Sequence, residues 1–353
     1  MKFRCWLSLV WILPLPVLAE GNVSWSTVLK QEKDWYGTGA ARDIAANVML
    51  YQTTSGGWPK NSDMTVPPSE EFLSGAASDH RAPTIDNGAT TTQLWLLARV
   101  LTATNDATLK PAVRRGIDYL LESQYLNGGW PQFYPLRKGY YTHITYNDNA
   151  MVNVLNLLRS VALGQEPFSF VDETRRVAAK TAIARGIECI LRTQVKQDGK
   201  LTVWCAQHDE VTFAPAWARN FEPPSLSGSE SVGIVKFLMG VPDPSPKVVA
   251  AIEGAVQWFE AVQIQGIQVD DTPGADGKRD RHSLPDASNH VLWARFYELG
   301  TNRPIFVGRD KVIHYDFNEI ERERRTGYSY LSDWPASMLA RDYPRWRAKH
   351  KLP

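Results

Sequence analysis

The stretch Gln52-Thr53-Thr54-Ser55-Gly56-Gly57-Trp58 returns as Gln124-Tyr125-Leu126-Asn127-Gly128-Gly129-Trp130 and, more loosely, from Gln194 through Gly199 to Trp204. A fourth glutamine, Gln263, precedes Gly266 but has no tryptophan at a matching distance. The four glutamines stand 72, 70 and 69 residues apart. Self-similarity at a fixed period marks a repeat architecture, in which stacked units bury a common core.

Each interval carries two helical patterns. Val113, Ile117, Leu120 and Leu121 recur at helical spacing behind Pro111, which suits a first turn. Ile183, Ile187, Ile190 and Leu191 repeat the pattern one unit later, and Val249, Ile252, Val256 and Phe259 one unit after that. A second series lies between them: Leu94, Leu97, Ala98 and Leu101; Met151, Val154, Leu155 and Leu158; and a shorter stretch from Ile234 to Met239. Two alternating series of apolar stripes pack helix on helix as an inner and an outer ring. The prediction is an all-α chain, an α/α toroid or incomplete barrel. Segments 61–83, 207–227 and 268–286 are polar and longer than compact packing needs, so they are expected at one rim, where a site is built. The end of the chain, 334–353, is rich in Arg, Trp and Pro and is expected to wrap the surface.

Thr84-Ile85-Asp86-Asn87-Gly88-Ala89-Thr90 and His143-Ile144-Thr145-Tyr146-Asn147-Asp148-Asn149-Ala150-Met151 each set an Asp/Asn cluster just ahead of a second-series helix. Asp and Asn are preferred N-caps, and capping explains either cluster taken alone. Their equivalent places in successive repeats suggest convergence instead. Asp86, Asn87 and Asp148 then offer only hard oxygen donors, which suits Ca2+ rather than zinc, and no Cys/His ligand spacing occurs. A third segment, Trp204 to Pro223, holds Arg219 between Trp217 and Phe221, where simple stacking and pairing with a carboxylate is the bland alternative. A fourth runs from Asn289-His290 through Arg295 to Arg303, Arg309 and Asp310. Arginines at a sugar-binding rim imply an acidic substrate; the alternative is a structural salt-bridge network, which is the reading for Glu319 to Arg325.

Aromatics make up 11% of the chain and 13 residues are tryptophan, an excess that serves sugar stacking and core building equally until a motif decides. Lys2 and Arg4, the apolar run Trp6 to Leu18 and the small residues of Val17-Leu18-Ala19 read as an export signal over residues 1–19. The run is too short, and too broken by Pro14 and Pro16, to span a bilayer. Without those two basic residues the chain carries 37 basic against 38 acidic groups, about −1, so nothing points to nucleic acid or a membrane as partner. Cys5 lies in the signal; Cys189 and Cys205 remain, as a disulfide in an oxidising compartment or as two buried thiols.

On these segments the chain resembles the polysaccharide lyase family 10 pectate lyases. The resemblance is carried by Gly56-Gly57-Trp58-Pro59-Lys60-Asn61, Thr84 to Thr90, Gly128 to Pro135, Ile144 to Val154, Ala214 to Val232, Phe296 to Asp310 and Arg325-Thr326-Gly327-Tyr328. It implies an (α/α)3 toroid and one catalytic domain over 20–353 that cleaves α-1,4-linked polygalacturonate (pectate) by calcium-assisted β-elimination. Asp86, Asn87 and Asp148 match the metal-side residues, Arg219 the catalytic base, and Arg295 and Arg309 arginines that contact substrate. Lys60 is read as a further substrate contact and the next candidate for the base. With the signal, the expectation is a secreted or periplasmic enzyme, acting as a monomer. Arginine is an awkward base, since its pKa normally exceeds about 12. It needs crowding by positive charge or shielding from water, and that burden predicts an alkaline optimum. A glycoside hydrolase on a similar toroid is the main alternative, with Asp86 and Asp148 as its opposed carboxylates. An arginine-rich rim has no role on neutral sugars, and a hydrolase gives no ultraviolet-absorbing unsaturated uronates. A non-catalytic pectin-binding protein, or a terpene cyclase suggested by Asp270-Asp271, fits less well.

Overall fold

The repeated tryptophans and glutamines are joints between helices. In the computed structural model, which describes residues 23–75, 78–288 and 290–352, the indole N–H groups of Trp58, Trp130 and Trp204 donate to Val48 O, Leu120 O and Ile190 O at 2.8, 2.8 and 2.7 Å. Those carbonyls lie in the last turns of Gly39–Leu50, Lys110–Glu122 and Glu173–Thr193. The indole adds a second donor to a carbonyl of the helix's last turn, beside Tyr51 N at Val48 O, the Ser123 hydroxyl at Leu120 O and Gln194 N at Ile190 O. The amides of Gln52, Gln124 and Gln194 donate to Ala112 O, Ala182 O and Ala251 O at 2.8, 2.9 and 2.8 Å, each on the next helix of the same series. Their second N–H goes back to the adjoining turn, at Gly56 O, Gly128 O and Thr202 O. Each glutamine therefore pins its own turn to the following outer helix. Gly56 and Gly128 sit at φ +95 and +93, and a Cβ there would come within 2.4 and 2.1 Å of Arg115 O and Arg185 O, so only glycine lets the turn press that close. Gln124→Ala strands two buried acceptors and is expected to cost ~2–3 kcal/mol, read as a lower urea midpoint at unchanged m.

The fourth tryptophan exists, displaced in sequence. Trp293 donates to Phe259 O at 2.8 Å, at the end of Pro246–Ala261. The turn in the first three units is closed by Thr53 N to Gly57 O, Tyr125 N to Gly129 O and Val195 N to Val203 O; in the fourth it is closed by Ile264 N to Leu292 O. A hairpin of Ile267–Asp270 against His282–Pro285 is inserted inside that turn and carries Trp293 away from Gln263.

Two layers of helices follow from the two stripes. Thr91–Thr104, Ala150–Leu163 and Glu230–Met239 pack side by side in chain order and are buried on more than one face, with Leu94, Leu96, Leu97 and Val100 fully covered in the first. The outer helices keep one polar side; in Lys110–Glu122, Val113, Ile117 and Leu120 point inward. The outer helices Gly39–Leu50, Glu173–Thr193 and Pro246–Ala261 start on side-chain caps from Thr38, Asp172 and Ser245. The N-cap residues of the inner helices, Thr90, Asn149 and Ser229, make no side-chain cap, and at the third helix the Ser227 hydroxyl accepts from Glu230 N at 3.0 Å instead.

The chain is helix-rich but not helical throughout. Ile313–His314, Pro304–Val307, Phe296–Tyr297 and Leu226–Ser227 form an antiparallel four-stranded sheet, and Leu331–Ser332 pairs with Trp293–Ala294. Strands of two to four residues hold too few alternating positions for a pattern to show. Helices and sheet share one apolar cluster from Val28 to Trp346, and Tyr343–His350 docks Trp346 into it, which anchors the C-terminal end. Cys189 and Cys205 are buried free thiols rather than a disulfide. Residues 1–19, expected from the sequence to be an export signal, and Asn289 lie outside the described residues. Among those described, no helix is long and apolar enough to cross a membrane.

Candidate active site

Two residues beyond each repeated tryptophan the chain has reached the rim, so Lys60, Gln132, Ala206 and Arg295 hold matching places. The entry to each inner helix pairs with that same tryptophan: Thr84 N bonds Trp58 O, Thr145 N bonds Trp130 O and Ser227 N bonds Trp204 O, at 3.0, 3.1 and 2.7 Å. Each repeat thereby sets a side chain from after the tryptophan against a cluster from before the helix. Lys60 Nζ lies 2.5 Å from Asp86 Oδ2, and the Gln132 amide donates to the same oxygen at 2.6 Å.

These groups border a polar cavity of about 150 Å³ lined by Lys60, Asn61, Asp86, Asn87, Gln132, Tyr140, Asn147, Asp148, Gln207, Arg219 and Glu222. Five residues expected from the sequence thus come together: Lys60, Asp86, Asn87, Asp148 and Arg219. Arg295 and Arg309 do not line it. A larger groove of about 490 Å³ beside the inserted hairpin, lined by Ile267, Leu284, Phe306 and Phe317 among others, contains none of these residues.

Capping does not explain the Asp/Asn clusters. The carboxylate of Asp86 accepts from Lys60 and Gln132, and that of Asp148 from the Asn147 amide at 2.8 Å and Arg295 at 3.2 Å. The chain instead turns sharply, with Asn87, Asp148 and Asn149 at φ +52, +50 and +60, a region that Asn and Asp enter more readily than other side chains. That tolerance is why these residue types recur there.

The donor set fits a hard cation. Asp86 is 3% exposed and its Oδ1 has no partner; Asn147 Oδ1 is likewise buried and unpaired. A lone buried acceptor costs free energy that an oxygen-seeking ion recovers. Burial raises the Asp148 carboxyl above its ordinary range; Arg295 opposes this, and the negative charges of Glu230 and Asp86 add to it. A cation between Asp86 and Asp148 relieves that repulsion. The Asn87 amide donates to Asn61 Oδ1 at 3.1 Å, which orients its side chain. Sequence reading missed Asn147, although it stands to Thr145 as Asp86 stands to Thr84. Elsewhere, His143, Asp209 and Glu210 bring three potential ligand atoms within 4.8 Å of one another. There His143 Nδ1 already pairs with Glu210 at 2.9 Å, and Asp209 Oδ1 is filled by Val211 and Thr212.

Arg219 lies over the Phe221 ring, 4.7 Å from its centroid, in a two-toothed pair with Glu222: Nε to Oε2 at 2.8 Å and Nη2 to Oε1 at 2.6 Å. Those hydrogen bonds push the Arg219 pKa above its ordinary value, although burial opposes them. The site therefore holds this guanidinium protonated more firmly than the residue type alone implies. Arg295, read as a substrate contact, is 8% exposed and paired with the buried Glu230 and with the cavity-lining Asp148, its guanidinium 4.5 Å from the Tyr328 ring. Glu230 had no sequence signal, because an acidic residue in a first helical turn is ordinary. Arg309 is exposed, pairs with Glu323 at 3.1 Å and lies 5.1 Å from the Phe221 ring that Arg219 also covers. The reading of Glu319 to Arg325 as structural pairing holds, with Arg322 on Asp276 and Arg325 on Asp280.

Residues 52–339 match the family model described as pectic acid lyase. No curated protein matches the chain. Two solved structures are similar to it: a family 10 polysaccharide lyase from Cellvibrio cellulosa, and a mutant of that enzyme in complex with trigalacturonic acid. Each is 35% identical with a TM-score of 0.76, over 91% of this chain and 94% and 95% of theirs, respectively.

Proposed function

The chain belongs to the pectic acid lyase family, the family 10 polysaccharide lyases, and from that premise we propose that it cleaves α-1,4-linked polygalacturonate by calcium-assisted β-elimination with Arg219 as the base. The observation that carries the calcium reading is the unpaired, buried Asp86 Oδ1, sharing a cavity with Asn147, Asp148 and Arg219.

In galacturonate the C5 hydrogen is α to the C6 carboxylate and is poorly acidic while that group is charged. Calcium, when bound, would neutralise the carboxylate and favour the enolate-like charge that develops. Asp86, Asn87 and Asp148, together with Asn147, would hold the ion. Lys60 and Gln132 occupy Asp86 Oδ2 and so leave Oδ1 as its free ligand atom. Arg219 takes the C5 proton, and the C5–H electron pair becomes the C4–C5 double bond. The C4–O bond breaks, and the departing oxygen keeps the C4–O electron pair and is protonated by water. Only the neutral guanidine accepts a proton, so the rate rises with pH toward the raised Arg219 pKa.

We also read the two helix layers as an (α/α)3 toroid forming one domain over 20–353, exported with loss of residues 1–19 and active as a monomer. N-terminal sequencing of the mature protein and light scattering test those points. The central test is turnover of polygalacturonate followed by ultraviolet absorbance of the unsaturated product. Chelator is expected to lower the rate at least tenfold without changing far-ultraviolet circular dichroism, and added Ca2+ to restore it. Highly methylesterified pectin is expected to be a poor substrate, because an ester does not bridge calcium. Full activity in chelator removes calcium from the mechanism, and cleavage without absorbance returns the hydrolase reading.

A further inference from the structure

The contacts around Arg219 define a clamp. Both oxygens of the Glu222 carboxylate are committed: Oε2 accepts from Arg219 N at 3.1 Å and from Nε at 2.8 Å, while Oε1 accepts from Nη2 at 2.6 Å and from the Tyr328 hydroxyl at 2.9 Å. Glu222 is 3% exposed, whereas the Arg219 side chain is 44% exposed, so the carboxylate is the fixed part and the guanidinium is held against it. Phe221 supports the flat face of the guanidinium. The clamp engages Nε and Nη2 and leaves out Nη1.

We propose that Glu222 is a positioning residue that presents the Arg219 guanidinium edge-on to the cavity and sets the pH at which that group takes the C5 proton. The inference rests on Arg219 being the base and adds the group that tunes it. Four other titratable groups lie around Arg219, among them Arg324, whose guanidinium is 4.6 Å from the same Phe221 ring. Burial pushes the Tyr328 hydroxyl well above its ordinary range, so it acts as a neutral donor to Glu222; Tyr140 reinforces the Arg219 charge when ionised, and Arg309, across the Phe221 ring, repels it. Glu222 outweighs them because it alone makes two charge-assisted hydrogen bonds in parallel. Its effects on turnover oppose each other: the clamp fixes the attacking geometry, but its negative charge delays loss of the proton needed to make a base.

The test compares pH profiles of kcat/KM on polygalacturonate at saturating Ca2+. Glu222→Gln keeps the shape and removes the charge, so the rising limb is expected to move at least one pH unit toward acid, with a plateau lowered several-fold by the looser clamp. Tyr328→Phe removes a donor from Glu222, leaving its charge less shared, and is expected to move the limb the other way, toward alkali. Glu222→Asp keeps the charge and is expected to leave the limb near its original pH at reduced rate. Opposite shifts are the signature, because general loosening of the site moves both variants alike. A limb that stays in place in Glu222→Gln, or one that moves the same way in both variants, overturns the inference. Should Glu222→Gln fail to fold, a limb that does not move toward alkali in Tyr328→Phe overturns it alone. Arg219→Ala separates the two claims. Lost turnover there with an unmoved Glu222→Gln limb leaves Arg219 as base and removes Glu222 as its tuner; retained turnover removes the base itself.

Discussion

Arg219→Ala is expected to lower kcat by about 10³-fold while oligogalacturonate binding stays within about tenfold, or ~1.4 kcal/mol. The first number follows from removing the proton acceptor, and the second from leaving the oxygen donors around Asp86 and Asp148 in place. Truncation also leaves Glu222, 3% exposed, with the Tyr328 hydroxyl as its remaining side-chain partner. A buried carboxylate robbed of its cation costs stability, about 3 kcal/mol, so lost folding is expected to add to the lost activity. Arg219→Lys separates the contributions. An ammonium restores a charge to Glu222, and with it much of the melting temperature, but it does not reproduce the two-toothed fork. Recovered stability with turnover still absent identifies proton transfer as the missing step. Substantial residual kcat with a raised KM in Arg219→Ala makes Arg219 a substrate contact, and Lys60 becomes the candidate base. Lys60 is itself tied to Asp86 at 2.5 Å, so it too has to be freed first.

Periodicity made the helices legible because the outer series repeats a physical joint rather than a composition. Gln124 reaches the next helix, Trp130 closes the previous one, and both need the turn between them to keep its length. That joint fails as a signal only where the turn is stretched. The inserted hairpin separates Gln263 from Trp293, and a reader of spacing loses the fourth unit although its hydrogen bond is intact. The short strands of 293–332 escaped because they are specified by partners distant in sequence, such as Leu226 against Tyr297.

At the site, Asp86 and Asp148 were readable as a pair because they recur before successive helices. Asn147 was hidden by its neighbours in a run of Asn and Asp, and Glu230 by the ordinariness of an acidic first turn. Arg295 shows the limit from the other side. An arginine two residues beyond a repeated tryptophan does belong to the rim register. What it touches there, Glu230 and Asp148, depends on elements from different repeats. Residue type gave its chemistry, and only the packing gave its direction.

Asp148→Asn tests the metal reading where function and stability pull apart. The side chain stays nearly the same size and Asn tolerates the φ of +50 found there, so the turn survives. Arg295 keeps its pair with Glu230. What disappears is one negative charge from the cation site, so turnover is expected to fall about 10²-fold at fixed Ca2+ and to recover partly as Ca2+ is raised. Stability in chelator moves the other way. Burial raises the Asp148 carboxyl in the folded chain, so its ionised form is disfavoured there relative to the unfolded chain. A raised folded pKa gives a contribution that is fully present below the unfolded value and lost as pH climbs through the folded one. At neutral pH the carboxylate is therefore a net cost, and Asp148→Asn is expected to melt higher than the parent protein, with the gap closing toward pH 4. With Ca2+ present the order is expected to reverse, because the ion stabilises the form that binds it more tightly. A variant that melts lower in chelator at neutral pH shows that Asp148 serves the fold. One that melts higher yet needs no more Ca2+ shows that its charge serves something other than the metal.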